Sequence, residues 1–191
     1  MRVIAGKARG VRLSVPRGRS IRPTADRVRE ACFSILGPRI ENAGFIDLFA
    51  GTGANGIEAL SRGAAWVVFV DAAPRSLAVV KANLDAADLG GNAVLLRSRL
   101  PRDLTRLARQ LQPAQIVFAD PPYDFTDYEP LLAGVARAGL LAPEGLLILE
   151  HASRLSFPEG EPHPADHSTG GVSIACTRRA EYGDTTLSFF A

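Results

Sequence analysis

Cysteine is scarce in this sequence, and histidine is almost as scarce. Two cysteines, Cys32 and Cys176, occur among 191 residues, which is too few for a disulfide framework, and they lack the spacing of metal ligands. We predict that both are reduced residues of the core. His163, Asp166 and His167 are close in sequence, but they lie in a proline-containing stretch without a further clear ligand, so we predict no metal site.

Long apolar runs are also missing. No run approaches the roughly 20 residues that a membrane-spanning helix requires, and the basic N-terminus lacks the apolar stretch of about 7 to 15 residues that a secretory signal needs. With 47% hydrophobic and 22% charged residues, the composition is typical of one globular domain. These features predict a soluble protein of the cytoplasm.

Net charge is small, at +2, but it is unevenly distributed. Residues 1–30 hold nine basic and two acidic residues, whereas the remainder is mildly acidic. A basic segment on an acidic body suits contact with nucleic-acid phosphates, and a solvated basic tail explains the charge equally well. The candidate nucleic-acid contacts are Lys7, Arg9, Arg12, Arg17, Arg19 and Arg22.

Short apolar runs alternate with amphipathic segments through most of the chain. Nearly continuous apolar character predicts strands buried on both faces of a parallel sheet, with helices between them. The predicted strands are Phe45–Phe49, Trp66–Val70, Ala93–Leu96, Ile116–Ala119 and Leu146–Leu149. The predicted helices are Asn55–Ser61, Arg75–Ala87, Asp103–Gln110, Tyr128–Ala138 and an earlier one that begins at Thr24 and ends before Gly37.

Both ends of the chain depart from this alternation. Alternating apolar residues and turn residues predict two hairpins, Val3–Ala5 with Val11–Val15, and Val172–Tyr182 with Thr185–Phe190. We therefore assign residues 1–23 to a basic N-terminal extension and residues 24–191 to the main domain. The expected fold is an α/β fold, a doubly wound and mostly parallel sheet that ends in an antiparallel pair.

A glycine-rich turn follows the first strand of the alternating region. Gly51, Gly53 and Gly56 form the pattern G-x-G-x-x-G, with Thr52 between the first two, and this pattern allows a tight turn and close approach of a ligand at a helix N-terminus. Asp71 lies 20 residues beyond Gly51, at the end of the second strand, where a carboxylate accepts both ribose hydroxyls. Together they predict a nucleoside-containing cofactor.

Asp47, just before the glycine loop, favours one class of cofactor over another. A carboxylate there would repel the pyrophosphate of a dinucleotide such as NAD, whereas it can pair with the ammonium group of S-adenosylmethionine. We therefore expect S-adenosylmethionine. Capping of the following helix is the alternative role of Asp47.

The fourth strand ends in Asp120-Pro121-Pro122-Tyr123, which we call the tetrad. The two prolines end strand pairing, fix the backbone and expose a carbonyl. Asp120 and the Pro121 carbonyl can accept hydrogen bonds from an exocyclic amine of a base, which makes its nitrogen more reactive, and Tyr123 offers a ring for the base to stack on. The motif predicts methylation of an amine without metal or covalent intermediate. Methylation at carbon 5 of a pyrimidine is excluded, because that reaction needs a cysteine nucleophile at the site and neither cysteine lies on a loop that follows one of these strands.

Several stretches of the sequence, including these motifs, resemble the RsmD-type bacterial methyltransferases, which modify a guanine N2 of 16S ribosomal RNA. The blocks are Arg2–Lys7 with Arg9-Gly10, Arg22–Glu30, Asp47–Gly53, Ile57–Ala64 and Asp120–Tyr123. The resemblance implies a class I methyltransferase fold with a seven-stranded sheet, S-adenosylmethionine as donor, and 16S rRNA in a 30S subunit or assembly intermediate as substrate. It also implies that the N-terminal hairpin and the Thr24 helix recognise RNA and help to close the cofactor pocket. We expect a monomer.

One position departs from that family. Arg99 stands where such enzymes often have Asn or Asp contacting the adenine amino group, and an arginine side chain has no acceptor. We therefore expect the cofactor contacts to come from the backbone of Arg99 and Leu100 or from Ser98.

Other functions share parts of these motifs. A DNA adenine-N6 methyltransferase carries the same tetrad but usually has a sizeable target-recognition segment, and a nucleic-acid-binding protein that has lost catalysis keeps the fold. An NAD-dependent oxidoreductase is disfavoured by Asp47 and by the tetrad. Three polar residues on or beside predicted elements are interpreted as packing or surface contacts: Glu58, Asn83 and Glu150.

Overall fold

A computed structural model describes residues 1–15, 24–163 and 173–191. The predicted phosphate contacts Arg17, Arg19 and Arg22, as well as Asp166 and His167, lie outside the described residues. The chain forms two compact units, Met1–Arg97 and Ser98–Ala191. None of the helices in the described part is long and apolar enough to cross a bilayer.

The first unit contains parallel strands in the order β3-β2-β1. Its elements are α1 (Thr24–Leu36), β1 (Gly44–Leu48), α2 (Ala54–Ser61), β2 (Trp66–Asp71), α3 (Pro74–Ala87) and β3 (Ala93–Arg97), with 3-10 turns at Gly37–Ile40 and Gly90–Asn92. The predicted bounds are confirmed to within one residue because turn residues punctuate the chain: Gly53 caps α2 with a φ of 77°, and Pro74 begins α3.

Burial differs among these three strands. All of β1 is buried and the middle of β2 is buried, as nearly continuous apolar runs predicted. The prediction of burial on both faces is wrong for β3, where Val94 is 49% exposed. The reason is position, because β3 is the outer strand of this order and its only partner among the described strands is β2.

The second unit contains strands in the order β4-β5-β8-β7-β6. Its elements are α4 (Leu104–Ala108), β4 (Ala114–Ala119), α5 (Tyr128–Ala138), β5 (Leu141–Ala152), β6 (Pro162–His163), β7 (Ile174–Tyr182) and β8 (Thr185–Phe190). β4 and β5 are parallel, whereas β8 is antiparallel to β5 and to β7. The C-terminal hairpin is confirmed, and Gly183 in its turn has a φ of 65°.

The elements β4, β5 and α4 differ in length from their predictions, and β4 begins at Ala114, two residues before the predicted start. β5 extends beyond Leu146–Leu149 at both ends, because Leu141 pairs with Ala114 of β4 and residues up to Ala152 pair with β8, including Glu150 opposite Leu187. The helix predicted at Asp103–Gln110 is shorter, Leu104–Ala108. Asp103 is its N-cap residue, and its end tightens because the N–H of Gln110 donates to the Leu107 carbonyl three residues back. Polarity patterns do not report such tertiary pairing.

The N-terminal residues form less regular structure than two strands. The predicted hairpin is present as a single antiparallel bridge between Arg2 and Arg12, supported by Val3 N–H bonded to the Val11 carbonyl at 3.0 Å. The N–H groups of Ile4 and Ala5 are bonded instead to a side chain on α2. Backbone donors used in this way cannot extend a strand ladder.

Both cysteines are buried thiols, Cys32 in α1 and Cys176 in β7, as predicted. His151 is the buried histidine of β5. One ring nitrogen lies 3.0 Å from the Ala152 carbonyl and the other 2.8 Å from the Ser188 hydroxyl, and the ring packs edge-on against Phe157. Burial lowers the pKa of His151 below its ordinary 6.5.

We expect this histidine to make stability depend on pH. The unfolded chain protonates His151 near its ordinary pKa of about 6.5, whereas the folded chain does so only at lower pH. Below pH 6.5 the unfolded state therefore binds more protons, and the free energy of unfolding falls as pH falls. The variant His151→Gln removes this contribution to the pH dependence of stability. Denaturant unfolding from about pH 5 to pH 8 measures the free energy of unfolding of both proteins. If that free energy changed equally with pH in the wild type and in the variant, His151 would not be the cause.

Candidate active site

The glycine loop joins β1 to α2 and is shaped by its own hydrogen bonds. Gly51 and Gly53 have φ values of 57° and 77°, a region that residues with a Cβ rarely adopt. The N–H of Gly51 donates to Asp71 at 2.9 Å, and the N–H of Gly53 donates to the Ala50 carbonyl at 2.7 Å. These two glycines thus form the predicted tight turn, with their N–H groups bonded inside the protein.

Gly56 has a different role from the other two glycines. A Cβ at Gly56 would lie 2.3 Å from Cε1 of Phe69 in β2, and this ring is fully buried. The third glycine of the motif therefore allows α2 to pack closely on β2, a role that the G-x-G-x-x-G pattern has in nucleotide-binding folds. Its place among the predicted cofactor contacts stays a prediction.

Asp47 lies buried at the end of β1 and binds the first turn of α2. Its Oδ2 accepts the N–H of Gly56 at 3.0 Å, so the capping role left open by the sequence is present. A negative charge therefore already stands at this helix N-terminus, which is where a pyrophosphate would otherwise bind. The arrangement disfavours a dinucleotide and agrees with a cofactor that carries an ammonium group.

Asp71 at the end of β2 is half-buried and ties two turns together. One oxygen accepts the N–H of Gly51 and the other accepts the N–H of Ala73 at 2.8 Å. A carboxylate has about four acceptor positions, so these two bonds orient Asp71 while leaving it capacity for the hydroxyls of a ribose. The residues of the glycine loop and Asp71 thus fit the adenosine cofactor that the sequence predicted.

Asn83 of α3 connects two distant segments, although the sequence predicted only a packing or surface contact. Its side-chain NH₂ group donates to the carbonyls of Ser14 and Thr52, at 3.0 and 2.9 Å, and its Oδ1 accepts the Ser14 N–H at 2.7 Å. The amide is 1% exposed, and with these bonds it joins residues 1–15, the N-terminal segment, to the glycine loop. The sequence offers only a weak signal of this role, because an amide within an amphipathic helix is common.

Glu58 of α2 is a second such connection, and it is 0% exposed. Its carboxylate accepts the N–H groups of Ile4 and Ala5, at 2.8 and 3.0 Å. It also forms ion pairs with Arg62 at 2.7 Å and with Arg29 at 3.8 Å. The signal that could have found it is a carboxylate inside the apolar run Ile57–Leu60, since an acid in a fully buried stretch needs partners.

The N-terminal segment is therefore bound along its backbone and is no free tail. Ser61 extends the contact, because its hydroxyl accepts the Ala8 N–H and donates to the Ala5 carbonyl. Lys7, Arg9 and Arg12 are exposed. A docked backbone with exposed basic side chains suits the phosphate-contact interpretation, because less chain freedom is lost on binding.

The segment after β3 already uses part of its backbone in hydrogen bonds of its own. The N–H of Arg99 donates to Asp103 at 2.9 Å and its carbonyl accepts the Asp103 N–H at 2.8 Å, so the backbone of Arg99 is already engaged. Ser98 is buried and accepts a bond from Arg106 at 3.3 Å, and Leu100 is half-buried. The cofactor contacts at these three residues stay predictions.

The tetrad follows β4 directly. Asp120 is exposed, Pro121 is buried and Pro122 is exposed, while Tyr123 is 64% exposed. The N–H of Phe125 donates to the Pro122 carbonyl at 2.9 Å, which closes a turn. Two fixed φ angles and this turn present the carboxylate and the ring to solvent from the end of a buried strand.

Two further aromatic residues and one arginine surround the tetrad. The guanidinium of Arg154 donates to the Tyr123 hydroxyl at 2.7 Å, and its central carbon lies 4.9 Å from the ring centroid. Phe125 and Tyr128 make an edge contact at 5.0 Å. The pKa of the Tyr128 hydroxyl is raised, mainly by burial, with the Arg154 charge opposing and the Asp120 charge adding.

The sequence of this chain matches a protein family and several known proteins. The family described as "Conserved hypothetical protein 95" matches residues 1–190. The Ribosomal RNA small subunit methyltransferase D of Escherichia coli K12 is 39% identical over 161 residues, which cover 83% of this chain and 78% of that protein.

Solved structures give the same fold. "Putative methyltransferase yhhF from Escherichia coli" has a TM-score of 0.79 at 32% identity, covering 100% of this chain and 96% of the other. The Thermus thermophilus 16S rRNA N2 G1207 methyltransferase RsmC, solved with AdoMet and guanosine, shares the fold alone, with a TM-score of 0.67 at 23% identity over 92% of this chain and 44% of that one. The predicted class I, Rossmann-like methyltransferase fold is confirmed.

The family resemblance carried by short blocks of the sequence extends over nearly the whole chain. The family match covers residues 1–190 and so includes both the glycine loop and the tetrad. The chain therefore belongs to the family of the ribosomal RNA small subunit methyltransferases D.

Proposed function

We propose that this protein transfers a methyl group from S-adenosylmethionine to the exocyclic N2 of a guanine in 16S ribosomal RNA. The observation that carries the proposal is the tetrad, with the exposed carboxylate of Asp120 and the exposed ring of Tyr123 on either side of two prolines. Family membership supports the enzyme class, since the 39% identical relative is named for rRNA of the small subunit.

The residues proposed to hold the cofactor follow the ends of parallel strands, where ligands bind in open α/β sheets. Asp71 would accept the ribose hydroxyls and Asp47 the ammonium group, while the loop at Gly51, Thr52 and Gly53 gives the turn its shape. Ser98, Arg99, Leu100 and Gly56 complete the proposed set. When bound, S-adenosylmethionine supplies a methyl group on a sulfonium, which is already an activated leaving group.

The tetrad would prepare the base amine. The carboxylate of Asp120 and the carbonyl of Pro121 accept hydrogen bonds from the two N–H groups of the amine, which draws its lone pair out of conjugation with the ring. Pro122 keeps these acceptors in place and Tyr123 stacks on the base. Once the nitrogen has gained the methyl group that the cofactor would supply, Asp120 would take up the excess proton along its hydrogen bond to the amine.

RNA would be held beyond the target base by the exposed side chains Lys7, Arg9 and Arg12, and by Arg17, Arg19 and Arg22. We further propose that the enzyme acts as a monomer on a 30S subunit or an assembly intermediate. The RsmC neighbour was solved with guanosine, which supports guanine as a base for this fold. The identity of the base at the tetrad rests on the family.

Methyl transfer to three substrates tests the proposal. S-adenosylmethionine with a labelled methyl group is incubated with the enzyme and with 30S subunits, free 16S rRNA or duplex DNA, and the labelled nucleosides are identified by mass spectrometry. We expect N2-methylguanosine from RNA and no label in DNA. Transfer confined to DNA would overturn the proposal in favour of adenine methylation, and no binding of S-adenosylmethionine in calorimetry would favour a protein without catalysis.

A further inference from the structure

The tetrad has an exposed aromatic ring that needs support. Tyr123 is 64% exposed, and an exposed side chain samples several rotamers unless neighbours hold it. A ring that serves as a stacking platform works best when it is ordered before the base arrives. A strong side-chain bond to this residue comes from Arg154.

Arg154 contacts Tyr123 in two ways. Its Nη1 donates to the phenolic oxygen at 2.7 Å, and its central carbon lies 4.9 Å from the ring centroid, within the range of a cation–π contact. A hydrogen bond from a charged donor is stronger than one between neutral groups. Together the two contacts restrain both the tip and the face of the ring.

The backbone that carries Arg154 is itself fixed. It lies in the turn after β5, where the N–H of Ser153 donates to the Asp184 carbonyl and its hydroxyl donates to the Gly183 carbonyl, both at 2.9 Å. The N–H of Leu155 closes the turn on the Ala152 carbonyl at 3.0 Å. Arg154 therefore extends from a turn anchored to the C-terminal hairpin of the same unit.

We propose that Arg154 is a positioning residue that holds the Tyr123 ring as a stacking platform for the target base. The inference rests on the proposed function, since only a base-methylating enzyme needs that platform. Arg154 acts through Tyr123, so removing the phenolic oxygen or removing the guanidinium interrupts the same contact. The charge of Arg154 also acts on Tyr128 together with that of Asp120, which agrees with a location beside the tetrad.

A double-mutant cycle tests this inference. Tyr123→Phe keeps the ring and loses the bond, whereas Arg154→Ala loses both contacts. We expect Arg154→Ala to lower kcat/KM for RNA about tenfold and Tyr123→Phe to lower it less. The double variant should equal Arg154→Ala. Arg154→Lys should recover only part of the activity, because it keeps a charged donor but loses the planar group that lies over the ring. Losses that multiply would overturn the proposal, since Arg154 would then act independently of the Tyr123 hydroxyl.

A second readout does not depend on activity. The chain has three tyrosines, so the ring signals of a protein labelled with ¹³C-tyrosine are few. We expect the Tyr123 signal to approach that of a free ring in Arg154→Ala and to stay unchanged in Arg137→Ala, which removes the same charge from an exposed position on α5. An unchanged Tyr123 signal in Arg154→Ala would overturn the inference. Wild-type enzyme that methylates no RNA would overturn the proposed function instead.

Discussion

Replacing Asp120 by alanine is expected to lower kcat by about 10³-fold, because the acceptor that activates the amine and receives its proton is lost. Asp120 is exposed at the end of β4, so the free energy of unfolding should change by no more than about 0.5 kcal/mol. Affinity for S-adenosylmethionine, measured by calorimetry, should stay nearly the same. The loss would therefore appear in single-turnover methyl transfer and not in binding.

Asp124 offers a matched control for this experiment. It is also an exposed aspartate, four residues after Asp120, and Asp124→Ala removes the same charge from the same loop. We expect methyl transfer by this variant to stay close to that of the wild type. Similar turnover in Asp120→Ala and the wild type would remove Asp120 from the proposed mechanism, and equal losses in both aspartate variants would point to the net charge of the loop.

Replacing Glu58 by glutamine is expected to lower the free energy of unfolding by about 3 to 5 kcal/mol, the usual cost of breaking a buried ion pair. The carboxylate accepts two N–H groups of the N-terminal segment and pairs with Arg62 and Arg29. An amide can accept one of those N–H groups but turns an NH₂ toward the other. We also expect residues 1–15 to become sensitive to proteases, as mass spectrometry of the fragments would show.

Two variants keep this second prediction testable. Ser61→Ala removes a smaller part of the same contact and should cost about 1 to 3 kcal/mol, which leaves folded protein to measure. Asp85→Ala breaks the exposed ion pair with Lys81, whose partners are 70% and 61% exposed, and should change stability by less than about 1 kcal/mol. A loss in Glu58→Gln no larger than that in Asp85→Ala would show that Glu58 does not anchor the segment.

Local signals in the sequence predicted the glycine loop, Asp71 and the tetrad. The glycine pattern, the acidic residue after the next strand and the proline pair each restrict the backbone within a few residues, so their chemistry can be read without a structure. The connections made by Glu58 and Asn83 could not be read in that way. Each joins positions more than 50 residues apart, and a polar residue in an amphipathic helix has no pattern that names its partner.

The sequence by itself determined the order of the helices and of every strand except β6, the motifs and the family, because apolar periodicity and turn residues act over short distances along the chain. Tertiary structure alone decided which strand is half-exposed, how far β5 extends, that the basic N-terminal segment is docked by Glu58 and Ser61, and that Arg154 meets Tyr123. These features depend on hydrogen bonds and burial between residues distant in sequence, and such contacts exist only once the chain has folded.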